Sequence, residues 1–118
     1  MYNYASDVDI ITCSFIRNTA GAGGGIGNET TARTTVVNSI FSNNTAVSGA
    51  GILNNSTATN YPGRNIPPAV TCINSSFSLN TPVDITNNGA DFNATNCIIT
   101  SGEGIDSQPV DGQIVSNP

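Results

Sequence analysis

The carboxylates are the residues of this chain most able to do chemistry, because the sequence holds eight Asp and Glu residues and no His. The lack of His excludes Ser-His-Asp and Cys-His catalytic groups and His metal sites. Asp7 and Asp9 would share the outer face of a strand, where their oxygens suit Ca²⁺, and residues 103–111 offer a second acidic group. A solvated pair and a solvated tail are the simpler interpretations. We predict no metal, no other cofactor and no enzymatic activity.

The three cysteines are the next candidates for chemistry. Cys13 and Cys97 occupy equivalent positions in a repeat described below. They would lie about 14 Å apart when the repeats stack, beyond the reach of a disulfide bond. Cys72 occupies a different position. We expect buried free thiols that act as small apolar side chains, and the alternative is a Cys72–Cys97 bridge between adjacent repeats.

Several Asn residues lie in Asn-x-Ser/Thr sequences, which accept N-linked glycans in secretory compartments. Asn28, Asn54 and Asn55 lie near predicted turns or a predicted loop, so they are the candidate glycosylation sites. Asn74 lies in the same kind of sequence, but we expect it within a side-chain ladder.

These residues belong to an internal repeat. Phe-x-x-Asn-Thr occurs at Phe15, Phe41 and Phe77, and a fourth copy has Ile99 in the Phe position without the Asn-Thr. A glycine block ending in Ile follows the first two copies. Like residues also precede each Phe: a small one two positions earlier (Cys13, Ser39, Ser75, Cys97) and a polar one three positions earlier (Thr12, Asn38, Asn74, Asn96).

The repeat predicts an all-β fold without substantial helix. Strand-like alternation occurs on both sides of the polar position, which indicates a turn. Short strands and tight turns recurring in order are typical of a parallel β-helix, or β-solenoid, here of about four coils. We predict one domain with coils at about 5–28, 29–53, 70–91 and 92–103, a surface loop insertion at 54–69 and an irregular C-terminal tail at 104–118.

Stacked coils would place each residue on its equivalent in the next coil, about 4.8 Å away. An apolar stack and amide ladders follow from this spacing. The predicted stack contains Phe15, Phe41, Phe77 and Ile99. The predicted ladders contain Asn38, Asn74 and Asn96, and Asn18, Asn44 and Asn80.

The Phe-x-x-Asn and glycine-block sequences, at residues 15–18 with 24–26 and 41–44 with 50–52, resemble the repeats of chlamydial polymorphic outer membrane proteins. They also resemble the wider group of bacterial right-handed parallel β-helix repeat proteins. The resemblance covers roughly residues 8–100. It implies right-handed winding and a secreted or surface-exposed adhesin or structural protein. The third copy departs from the pattern, since Asp84 begins the segment where its glycine block belongs.

The charge of the chain limits its partners. Its net charge is −5, and its basic residues are Arg17, Arg33 and Arg64. No basic patch forms from so few cations, which predicts no nucleic-acid binding. No apolar run approaches the length of a membrane span, which predicts no membrane insertion.

Two function classes fit these features. The first is a non-catalytic structural or adhesive β-solenoid, extracellular or on the cell surface, with a host-surface molecule or a glycan as ligand. Its open ends would self-associate, through residues 8–11 and 113–118, into a filament, or it would form part of a longer surface passenger. The alternative is a glycan-binding or polysaccharide-cleaving β-helix, which the absence of Trp and the scattered Tyr2, Tyr4 and Tyr61 disfavour.

Overall fold

The computed structural model describes residues 1–56, 66–103 and 111–114, with the backbone alone at 102–103 and 111–114. These residues form strands and no helix. The strands are β1 (Tyr2–Tyr4), β2 (Asp7–Ile11), β3 (Ser14–Ile16), β4 (Ile26–Glu29), β5 (Arg33–Val37), β6 (Ile40–Ser42), β7 (Ile52–Asn55), β8 (Ala69–Ile73), β9 (Ser76–Ser78), β10 (Ile85–Asn88), β11 (Asp91–Ile99), β12 (Gly102–Glu103) and β13 (Asp111–Ile114).

The strands form two parallel sheets that remain separate, and neither closes on itself. One sheet has the order β1-β4-β7-β10-β12. The other has the order β2-β5-β8-β11-β9-β6-β3, with β13 paired to β11. The long strand β11 pairs with β8 through its first half and with β9 through its last residues, which joins two rows of strands into one sheet.

The register aligns equivalent residues of successive repeats. Phe15 pairs with Phe41 and Phe41 with Phe77 in the second sheet, while Ile26 aligns with Ile52 in the first. A shift by one residue would turn every inward side chain outward, so the buried face fixes this register.

The polar position of each repeat is where the chain turns between two strands of the second sheet. Thr12, Asn38, Asn74 and Asn96 have positive φ angles of 54°, 51°, 49° and 52°. Asn tolerates this left-handed conformation better than most residues. The repeated Asn therefore serves the backbone of the turn.

The core lies between the two sheets. The glycine block lets the backbone pass close to the aromatic rings of this core. A Cβ atom on Gly25 would lie 2.8 Å from Cδ1 of Phe41, and one on Gly51 would lie 3.1 Å from Cδ1 of Phe77. The residue aligned with Gly51 in the third copy is Asp84, since Ile85 pairs with Ile52. The fourth copy has Ile99 in place of Phe, so no ring demands a glycine there.

Composition predicts an all-β chain without helix, and the described residues confirm it. The tail differs from the prediction of an irregular segment, since β13 lies within it and aligns Ile114 with Ile99 in the register of the repeat. The predicted insertion is also shorter than 54–69, because β7 extends to Asn55 and β8 begins at Ala69. Residues 57–65, with Tyr61 and Arg64, lie outside the described residues, as do 104–110 and 115–118.

Candidate functional site

The predicted aromatic stack is a continuous column. The ring centroids of Phe15 and Phe41 lie 4.7 Å apart at an interplanar angle of 4°, and those of Phe41 and Phe77 lie 4.6 Å apart at 8°. Ile99 aligns with Phe77 and is fully buried. Phe15 is only partly buried, because β3 is the edge strand of its sheet. The first repeat therefore leaves an apolar ring at an open edge.

The predicted ladder of Asn18, Asn44 and Asn80 is built from side-chain amides. Asn18 Nδ2 donates to Asn44 Oδ1 at 3.0 Å, and Asn44 Nδ2 donates to Asn80 Oδ1 at 2.9 Å. Asn44 and Asn80 are buried, whereas Asn18 is exposed at the edge. These bonds satisfy amides that would otherwise be costly to bury.

Asp84 ends this ladder with a buried carboxylate. Its Oδ1 accepts from Asn80 Nδ2 at 2.7 Å, and its Oδ2 accepts from the Thr100 hydroxyl at 2.6 Å. The backbone N–H groups of Thr100 and Ser101 also donate to Oδ2, at 2.8 and 3.0 Å. The ionised carboxylate can accept all four bonds, because its two oxygens offer about four lone-pair sites. Sequence reasoning noted Asp84 only as a departure from the glycine block.

A second inner ladder was missed by sequence reasoning. Asn3 Nδ2 donates to Asn28 Oδ1 at 3.1 Å, Asn28 Nδ2 to Asn54 Oδ1 at 2.9 Å, and Asn54 Nδ2 to Asn87 Oδ1 at 2.8 Å. The signal is an Ile-x-Asn triplet that recurs at residues 26–28, 52–54 and 85–87.

This ladder corrects two of the candidate glycosylation sites. Asn28 and Asn54 are fully buried, and their Nδ2 atoms also donate to backbone oxygens of Ala32 and Asp91. A glycan would have to be attached through the same nitrogen, which the folded chain encloses. Asn55 is half-buried on the outward side of β7 and remains the predicted acceptor.

The other predicted ladder lies at the turns. Asn96 Nδ2 donates to Asn74 Oδ1 at 2.6 Å, and both side chains are exposed. Asn38 lies in the same row and donates its backbone N–H to Ile73 O at 3.0 Å.

The three thiols are free, and two of them are buried. Burial raises the pKa of Cys72 well above its ordinary value and also raises the pKa of Cys97. Cys13 is exposed, contrary to expectation, because it precedes β3, which has no described strand on its outer side. The alternative Cys72–Cys97 bridge is not formed.

The acidic candidates do not assemble into a metal site within the described ranges. Asp7 and Asp9 are both exposed on β2. In these ranges no three His, Cys, Asp or Glu side chains lie close enough to share an ion. The side chains of 103–111 lie outside the description.

Sequence reasoning treated the tyrosines as scattered, but Tyr2 and Tyr4 lie on the same side of β1. Pairing of β1 with β4 places them beside Glu29 on one polar face. The Tyr2 and Tyr4 rings stack with centroids 6.3 Å apart and are 63% and 49% exposed. The Tyr2 hydroxyl donates to Glu29 Oε2 at 3.1 Å. A cleft of about 560 Å³ continues from Glu29 past Leu53 to Asn88. The signal was the spacing of Tyr-x-Tyr, which places both rings on one side of a strand.

Within the described ranges, no helix has the length and apolar character needed to cross a membrane. Comparison of the chain with protein-family models, with curated proteins and with solved structures found no match.

Proposed function

We propose that the two parallel sheets are faces of a β-solenoid of about four coils, and that this solenoid is a non-catalytic structural or adhesive element outside the cell. The observation that carries the proposal is the column of Phe15, Phe41 and Phe77, whose rings stack at 4.7 and 4.6 Å. Equivalent residues in contact are what a stack of repeats requires.

The hydrogen bonds support the same proposal. Thr45 N donates to Asn18 O at 2.8 Å, and Thr81 N donates to Asn44 O at 2.9 Å, so turns as well as strands are bonded to their equivalents. Buried Asn side chains also form ladders between repeats. Such side chains serve the stability of a scaffold. Right-handed winding and an origin in a surface passenger rest on the resemblance to polymorphic outer membrane proteins.

Self-association at the first repeat is part of the proposal. Among the described strands, β1, β2 and β3 each have a partner on one side only, and unpaired strand edges bind other chains. Phe15 and the exposed Asn18 lie at this edge and extend the inner columns toward a second copy. Residues 113 and 114 pair with β11 of their own chain, and among the described strands β13 has no second partner. Its other edge therefore remains the proposed partner of residues 8–11 in the next copy. Head-to-tail addition, in which this edge meets the last strands of the next copy, gives a filament. A preceding repeat in a longer passenger would fill the edge equally well.

Electron microscopy of the native material, with the intact mass of the chain, tests the function. Fibres or short oligomers built from a chain of 12.1 kDa are expected. Phe15→Asp should abolish them, because it places a charge in the apolar column. Ile98→Asp is the matched control, since Ile98 is 56% exposed on the flank of the second sheet. A stable monomer at high protein concentration, or equal loss of assembly in both variants, contradicts self-association at this edge.

A further inference from the structure

The outward face of the first sheet carries two rows of side chains that the ladders do not use. Pairing of β1, β4, β7 and β10 aligns Tyr2, Gly27, Leu53 and Thr86 in one row and Tyr4, Glu29, Asn55 and Asn88 in the other. Successive strands are about 4.8 Å apart, so the rows extend for about 14 Å. This surface is long enough for a short linear ligand.

One end of this face is aromatic. Tyr2 lies over the bare backbone of Gly27, where a Cβ atom would come within 3.2 Å of the Tyr2 ring. The hydroxyl of Tyr2 donates to Glu29, and this bond favours one orientation of the ring. Exposed aromatic rings on a protein surface mark interaction sites more often than exposed aliphatic residues do.

The other end is polar. Leu53 forms an apolar floor, and Thr86 and Asn88 line the same cleft of about 560 Å³. The Thr86 hydroxyl oxygen accepts from Gly49 N–H at 3.0 Å, which leaves its O–H to donate. Asn88 Nδ2 donates to Asn55 Oδ1 at 3.0 Å, which orients both amides along the cleft.

We infer that this face, which we call the tyrosine groove (Tyr2, Tyr4, Glu29, Leu53, Thr86, Asn88), binds a neutral oligosaccharide. A pyranose ring presents C–H groups on its faces and hydroxyls at its rim. Tyrosine rings pack on the C–H faces, and the carboxylate, amide and hydroxyl groups bond to the rim.

The charge of the groove selects for neutral sugars. Glu29 is the one charged side chain among the six, and the chain carries a net charge of −5, so an acidic glycan is repelled. Binding rather than cleavage is inferred, because glycosidases typically use a pair of carboxylates and these residues supply one. The inference depends on the pairing within the first sheet and not on the proposed function, so it stands whether or not copies associate.

Calorimetric titration tests the groove with short oligomers of glucose, xylose, mannose and N-acetylglucosamine, and with oligogalacturonate as the acidic comparison. At least one neutral oligomer should bind with a Kd below about 1 mM. Tyr2→Ala should weaken that binding about tenfold, and Tyr2→Phe should weaken it less, because it keeps the ring. Glu29→Gln should also weaken binding. Ile98→Ala, on the other sheet, is the control and should leave it unchanged.

Three results would overturn the inference. The first is that no neutral oligomer binds below about 1 mM. The second is binding that is equal in the unmodified chain, Tyr2→Ala and Glu29→Gln, which would place the ligand elsewhere. The third is preferential binding of oligogalacturonate. Circular dichroism of each variant checks that the variant is folded. We expect the Tyr2 variants to fold, because the Tyr2 side chain is exposed.

Discussion

Asn80 donates its side-chain Nδ2 to Oδ1 of Asp84 at 2.7 Å, so a ladder of amides ends on a buried carboxylate. The fourth repeat lacks the Asn that would continue the ladder. Asp84 instead accepts hydrogen bonds from the backbone N–H groups of Thr100 and Ser101, which otherwise would be left without an acceptor. One acidic side chain thus connects the third repeat to the end of β11.

Replacing Asp84 by Asn should destabilise the fold by about 1–3 kcal/mol, because the new amide would present N–H donors to other donors. Urea denaturation measures the change. Asp9→Asn is the matched control on an exposed strand position, and a change within about 0.5 kcal/mol is expected there. Equal effects of the two substitutions would mean that Asp84 is not the end of the ladder.

The position of an amide within its ladder should determine its contribution to stability. Asn44→Ala removes a buried amide that donates to Asn80 and accepts from Asn18, and it should cost about 2–3 kcal/mol of unfolding free energy. Asn18→Ala, at the exposed edge, should cost less than about 1 kcal/mol. Chemical denaturation of both variants compares them directly, and a larger loss in Asn18→Ala would contradict the arrangement.

Adding one methyl group at a glycine should be destabilising where neighbouring atoms already crowd the Cβ position. Gly25→Ala places a Cβ atom 2.6 Å from Gly51 O and 2.8 Å from the Phe41 ring, so a loss of about 1–3 kcal/mol is expected. Gly21→Ala is the control, since no atom lies within 4 Å of its Cβ position. Thermal melts of the two variants should therefore separate. Indistinguishable melting temperatures would show that the backbone at Gly25 has room to move.

Thiol labelling should distinguish the edge cysteine from the core cysteines. Cys13 is exposed and should react with a disulfide reagent in the native protein, whereas Cys72 and Cys97 should react only after unfolding. Cys13→Ser should abolish native labelling. Rapid native labelling that persists in Cys13→Ser would mean that the core thiols are accessible.

Alkaline pH should destabilise the fold through Cys72. Burial raises the pKa of this thiol above its ordinary value of 9.0, so the unfolded chain loses the proton first as pH rises. Stability should be intact below pH 9.0 and fall above it, toward the raised pKa of the folded state. Denaturation series at several pH values measure the slope, and Cys72→Ala should reduce it. A slope that is unchanged in Cys72→Ala would assign the effect to other groups.

Sequence and structure agree where a residue recurs at the same place in each repeat. The spacing of Phe15, Phe41 and Phe77 is enough to place their rings in one column, because a parallel register aligns equal positions. Asn28 and Asn54 were predicted to be glycosylation sites because both lie in Asn-x-Ser/Thr sequences. Their burial, which the sequence does not show, assigns them to the inner ladder instead. The contact of Tyr2 with Glu29 could not be predicted, because β1 precedes the first recognisable repeat.

Both inner ladders donate in the same direction along the stack. Asn3 and Asn18 contribute their amide nitrogens to the next repeat, so their carbonyl oxygens are left for a donor from the opposite side. The small dipoles of the amides therefore add up, and the two ends of the stack differ. The end with Asn3 and Asn18 presents acceptor oxygens, while the amide nitrogens all donate toward the other end. A copy approaching upside down would bring oxygen against oxygen. Any assembly that continues these rows is thus a polar polymer, whose two ends should gain and lose subunits at different rates.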